Sequence, residues 1–181
     1  MELKEYLRAE VYGNADGMWE KLYLKYKNPS TNAVYMIRIM QYYWNRGTVL
    51  SKRKAVNIGN KLIKKYGIFI PPQVKIGRGL KLPHPNGIII GSCAEIGEDC
   101  TIFQQVTIGS NLPGDFLNGK QPKIGNGVWL FAGCKVIGDI YVADNTLVGA
   151  NAVLRQNTRS GYSYVGIPAH CTEVKHSRLI Y

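Results

Sequence analysis

A chain of 181 residues, 45% of them hydrophobic, is long enough for one core or for one repeat domain with a smaller cap, and its composition is not that of a disordered chain. Twenty-three Lys and Arg against twelve Asp and Glu give a formal net charge of +11, which favours a polyanionic partner such as nucleic acid, an anionic membrane face or a phosphorylated cofactor. The opening residues, MELKEYLRAEVYGN, carry charges throughout, and no apolar run approaches the ~20 residues of a membrane span, so the expected location is the cytoplasm.

Residues 1–70 read as a helical region, with apolar positions recurring every three or four residues. Leu3, Tyr6, Leu7 and Val11 make one short face, and Trp19, Leu22, Tyr23 and Tyr26 another. After the break at Asn28-Pro29-Ser30, the stripe Ala33, Met36, Ile37, Met40, Tyr43 and Trp44 predicts an amphipathic helix stopped at Gly47. Val56, Gly59, Leu62, Ile63 and Tyr66 predict a further helix, with Ser51 as its cap and Gly67 as its stop. Pro71-Pro72 closes the region.

From about Val74 to Ala169 the period becomes six. Ile90, Ile96, Ile102 and Ile108 share one register, and Ile124, Leu130, Val136, Val142, Val148 and Leu154 share a second. Ten such coincidences by chance come to on the order of one in a million before choice of register, so the repeat is real. Four residues after the aliphatic stands a small or medium side chain: Ala94, Cys100, Val106, Val128, Cys134, Thr146, Ala152. That is the pattern of a triangular coil with three short strands per turn, the aliphatics stacking inward from coil to coil. Cys100 and Cys134 thereby read as compact core residues, and the four cysteines show no metal-binding spacing. The predicted fold is therefore mainly β, a parallel β-helix of hexapeptide repeats over residues 71–170, with an N-terminal α-helical cap and a tail at 171–181.

Two faults interrupt the coil. Leu82-Pro83-His84-Pro85-Asn86-Gly87 has two residues too many and must bulge, and residues 110–121, rich in Gly, Pro and Asn, form a loop. Interruptions on a rigid scaffold are where sites are expected.

On these residues the chain resembles the serine acetyltransferase-like branch of the hexapeptide-repeat acyltransferases, most specifically at Lys75 to Leu80, His84 to Gly91, Val106 to Gly109, Pro122 to Gly125 and Gly166 to Ala169. The resemblance implies a left-handed coil, a homotrimer with sites at subunit interfaces, and acetyl-CoA as co-substrate with no metal. It implies that His84 is the general base and that Gly109, Ser110, Ala132 and Ala150 contact acetyl-CoA, the Ser110 N–H being a candidate oxyanion donor. Lys135, Arg155 and Lys175 are candidate phosphate partners, and His170 and His176 are expected at the surface.

The pattern departs from the family where serine is recognised. Phe69 and Pro83 stand where the family has aspartates, and Lys120 and Gln121 where it has an arginine and a second histidine. Loss of charged partners for a small zwitterion disfavours serine and favours a neutral hydroxyl, recognised by amides such as Asn86, Gln104, Gln105 and Gln121. The expected activity is thus O-acetylation of a sugar or polysaccharide precursor, closest in pattern to the polysaccharide O-acetyltransferases. Serine O-acetylation in cysteine biosynthesis and a non-catalytic β-helix used for assembly are the alternatives. The basic residues Lys52, Arg53, Lys54, Lys61, Lys64 and Lys65 beside the aromatic helix raise a peripheral contact with the inner membrane face. Nucleic acid is not an expected partner, because no binding module accompanies the charge.

Overall fold

The computed structural model describes residues 3–173, so Lys175 and His176 lie outside the described residues. Four α-helices precede the coil: α1 (Leu3–Leu7, continued by a π-helical turn Arg8–Tyr12), α2 (Met18–Tyr26), α3 (Pro29–Asn45) and α4 (Val49–Tyr66). The side chain of Asn28 accepts the Thr31 N–H at the start of α3, with Pro29 in the first turn where no N–H is required. Gly67 ends α4 in the left-handed conformation, as its position predicts.

Three helical expectations change. The cap of α4 is Thr48, whose Oγ1 accepts the Ser51 N–H, and Ser51 lies one turn inside. The buried stripe of α4 runs through Ser51, Ala55 and Leu62 with Ile58 and Tyr66 partly covered, while Val56 and Ile63 face outward. Small residues bring α4 close to α3: a Cβ on Gly59 would touch the Met40 sulfur at 3.4 Å. The contact face was thus written in side chains too small to score as apolar. The expected face Trp19, Leu22, Tyr23 and Tyr26 of α2 is exposed.

The coil stacks three parallel sheets, one per side of a triangle. The first side carries Ile89–Ile90, Thr107–Gly109, Lys135–Ile137 and Val153–Leu154, and its first rung is the bridge of Phe69 to Ile89, within the residues expected to be helical. The second carries Lys75–Ile76, Glu95–Ile96, Lys123–Ile124 and Tyr141–Val142. The third carries Thr101–Ile102, Trp129–Leu130, Leu147–Val148 and Tyr162–Val165, reached from Lys81 by a bridge. Inward aliphatics from all three fill the axis, each buried side chain stabilising by about 1.5–3 kcal/mol. Every small-slot residue predicted from the repeat is also buried. Gly77 and Gly97 sit where coils meet, and a Cβ on either would fall 2.6 Å from the backbone of the next coil.

Both ends of the stack are covered. At the first coil no strand lies below the carbonyls of Val74, Ile76 and Gly77, and helix α3 supplies the donors: Gln41 to Val74, Arg38 to Ile76 and Gly77. Glu10 accepts the N–H groups of Gly79 and Leu80 and pairs with Arg38 at 2.6 Å, its side chain fully buried. At the far end His170–Glu173 turns back antiparallel on Tyr162–Val165, so part of the expected tail completes the last sheet.

Candidate active site

The corner between the third and first sides rises in register. Gln105 N–H bonds the Asn86 carbonyl, Gly133 N–H the Gln104 carbonyl, and Asn151 N–H the Ala132 carbonyl. Asn86, Gln104, Ala132 and Ala150 therefore occupy one position on successive coils, followed by Gly87, Gln105, Gly133 and Asn151 at positive φ. His84 stands at the foot of this rail. Buried Leu82 and Pro85 anchor the bulge, the Asn86 N–H bonds the His84 carbonyl, and two flanking prolines restrict the backbone. The imidazole is exposed and makes no hydrogen bond among the described residues, so its nitrogens face outward chemistry.

Beside it lies an aromatic patch that the six-residue pattern did not reveal. Phe103 lies 6.2 Å from the His84 ring and stacks on Phe131 at 5.3 Å, and Trp129 packs 5.9 Å from Phe131. All three are half-buried on rigid rungs. Gln104, on the rail, has a buried Oε1 without a partner among the described residues, an acceptor left for a ligand donor.

The remaining candidates sit elsewhere. Gly109 and Ser110 lie at the opposite end of the first side, about five residues and therefore ~16 Å along the strand from Gln105. Gln121 is buried at the base of the loop, its Oε1 accepting the Cys93 N–H at 2.8 Å and its Nε2 donating to Ser110 Oγ at 2.9 Å. Its amide thus pins the loop and is turned inward from any groove. One chain therefore gathers His84, Asn86, Gln105, Ala132 and Ala150 on one corner and Gly109, Ser110 and Gln121 on the next. Of the carboxylates that could support His84, Glu95 is paired with Lys75 on the second side and Asp115 accepts the Leu112 N–H in the loop, so neither bonds the imidazole within one chain. Lys135 donates to the Gln105 carbonyl, Arg155 to Asn111, and His170 is exposed. Among the described residues no group of three or more His, Cys, Asp or Glu is placed to hold a metal ion.

The cysteines are not part of this chemistry. Burial pushes the Cys100 thiol up to about 11 and the Cys134 thiol up to about 12. In the folded protein at about pH 8, Ellman's reagent is expected to titrate Cys93 and Cys171, with Cys100 and Cys134 reacting only on unfolding. Four fast thiols in the native protein would contradict this packing.

Fold and repeat together define a hexapeptide-repeat β-helix. The model of the bacterial transferase hexapeptide (six repeats) matches residues 121–156. The chain is 34% identical over 148 residues to the serine acetyltransferase of Salmonella typhimurium, covering 82% of this chain and 51% of that one. It is 45% identical over 103 residues to the serine acetyltransferase of Helicobacter pylori, covering 57% and 59%. A solved serine acetyltransferase in complex with CoA superposes with a TM-score of 0.70 at 30% identity, over 93% of this chain and 66% of that one. The coil is thus a left-handed parallel β-helix, and the chain is similar in sequence and fold to serine acetyltransferases, spanning about half to two thirds of the length of these relatives. The expected specific likeness to polysaccharide O-acetyltransferases is not supported by these matches.

Proposed function

We propose that this chain transfers an acetyl group from acetyl-CoA to a hydroxyl, with His84 as general base. The observation that carries the reading is the exposed, unbonded imidazole at the foot of a corner whose higher coils present only Ala132 and Ala150, leaving backbone open to an extended ligand. The CoA complex of a solved relative supports the same donor. His84 takes the hydroxyl proton as the oxygen attacks the thioester carbonyl, and the imidazolium returns it to the thiolate as the C–S bond breaks. A backbone N–H at Ser110 can reach the oxyanion only from a neighbouring chain, because within one chain it lies across the first side. This separation supports a trimer with shared sites.

The relatives favour serine as acceptor over the sugar expected from the sequence, since the matched proteins are named serine acetyltransferases. One group of residues favours a second reading, a sugar hydroxyl: Phe69 and Pro83 supply no carboxylate, and Phe103, Trp129 and Phe131 offer ring faces beside the base. Release of CoA thiol with L-serine, measured against a panel of soluble glycans, separates the two. The serine reading fails if glycans alone accelerate release. For a sugar acceptor, Phe131→Gly is expected to raise the acceptor KM about three- to tenfold with kcat little changed, and for serine to leave both unmoved.

A further inference from the structure

The helical cap carries a surface that neither the coil nor the catalytic corner uses. Helix α2 turns Met18, Trp19, Leu22, Tyr23 and Tyr26 to solvent, Trp19 being 79% exposed. Tyr26 rims a groove floored by Met36, Ile39 and Ile58 and closed on the far side by Lys61, Lys64 and Lys65. From Lys21 to Ala94 the sequence contains fourteen Lys and Arg and no Asp or Glu. Of these cations, Arg38 is internal, Lys75 is paired with Glu95, and Lys65 bonds Asn32. No Asp or Glu lines the groove beside Lys61 and Lys64, whereas Asp16 stands with Met18 and Leu22 at the start of α2.

Charge complementarity selects the occupant. A second copy would set one lysine-rimmed groove, lined by no Asp or Glu, against another, and like charges in contact repel. Nucleic acid would satisfy the lysines and leave the aliphatic floor and α2 residues in water. An anionic lipid surface satisfies both, because Trp and Tyr rings settle at the headgroup level, apolar side chains enter the acyl boundary and lysines meet the lipid phosphates. No described helix is long and apolar enough to cross a membrane, so the contact lies on the surface. We infer that this face of the cap docks on an anionic membrane. The inference is independent of the acceptor and of acetyl transfer itself.

Co-sedimentation of the full chain with vesicles tests it. Binding is expected to phosphatidylcholine vesicles containing about 30% phosphatidylglycerol and not to phosphatidylcholine alone, and is expected to weaken as salt screens the charge. Lys61→Gln with Lys64→Gln is expected to weaken it about 25-fold, at about fivefold per lysine, and Trp19→Ser with Tyr23→Ser also to weaken it. Circular dichroism melting should show both pairs folded as the wild type is. Absence of binding to the anionic vesicles overturns the inference, as does binding undiminished in both pairs. Light scattering in which Trp19→Ser with Tyr23→Ser splits an assembly of chains that never bound vesicles would assign the face to a second copy and overturn it equally.

Discussion

Replacement of His84 by alanine is expected to lower the rate of acetyl transfer by about 10² to 10⁴ with little change in the KM for acetyl-CoA. The range is that of a positioned general base, and two observations make the substitution clean. The imidazole makes no hydrogen bond among the described residues, and the bulge is held by Leu82, Pro85 and the Asn86 N–H to His84 carbonyl bond, all of which survive truncation of the ring. The melting temperature should therefore stay within a degree or two while turnover collapses. The positions offered to the CoA arm are on other coils, at Ala132 and Ala150, which is why binding should persist. Steady-state release of CoA thiol is the measurement, and a variant that keeps its full rate would remove His84 from the chemistry, whereas a wild-type chain that neither binds acetyl-CoA nor releases thiol would be a β-helix used for assembly.

Arg38→Ala is expected to cost about 3–5 kcal/mol in urea unfolding. The guanidinium bonds both Glu10 oxygens, Gln41 and the carbonyls of Ile76 and Gly77, with only 3% of its side chain exposed. Removing it leaves the Glu10 carboxylate buried without its counter-charge and two carbonyls without donors. The exposed pair of Lys75 with Glu95 is the control, and Lys75→Ala should cost under about 1 kcal/mol. Equal small losses for both variants would show that the pair contributes no more than a solvated bridge. The consequence reaches the site, since Glu10 holds Gly79 and Leu80, the residues that lead into the His84 bulge.

The coil was legible in the sequence because its constraint is local and repeated. Each turn must place an aliphatic residue on the axis and a small residue at the slot four places on, so the period of six returned at every coil and the faults at His84 and at residues 110–121 stood out against it. The helical cap was less legible. Gly59, Leu62 and Tyr66 of the expected stripe do face α3, but Ser51 and Ala55 pack there because they are small, and smallness does not register as an apolar stripe. Exposed Val56 and Ile63 therefore misplaced its face.

What the sequence by itself determined was the β-helix, its core positions, its two interruptions and the histidine at the first of them. Tertiary structure alone decided that Glu10 and Arg38 meet across 28 residues, that Gln121 is spent on pinning the loop, that three aromatic rings line the ground beside His84, and that Ser110 stands on a different corner from His84. The physical reason is the range of the interaction. A repeat is dictated by neighbours a few residues away, whereas a contact between distant segments depends on how many residues each coil consumes before the chain returns.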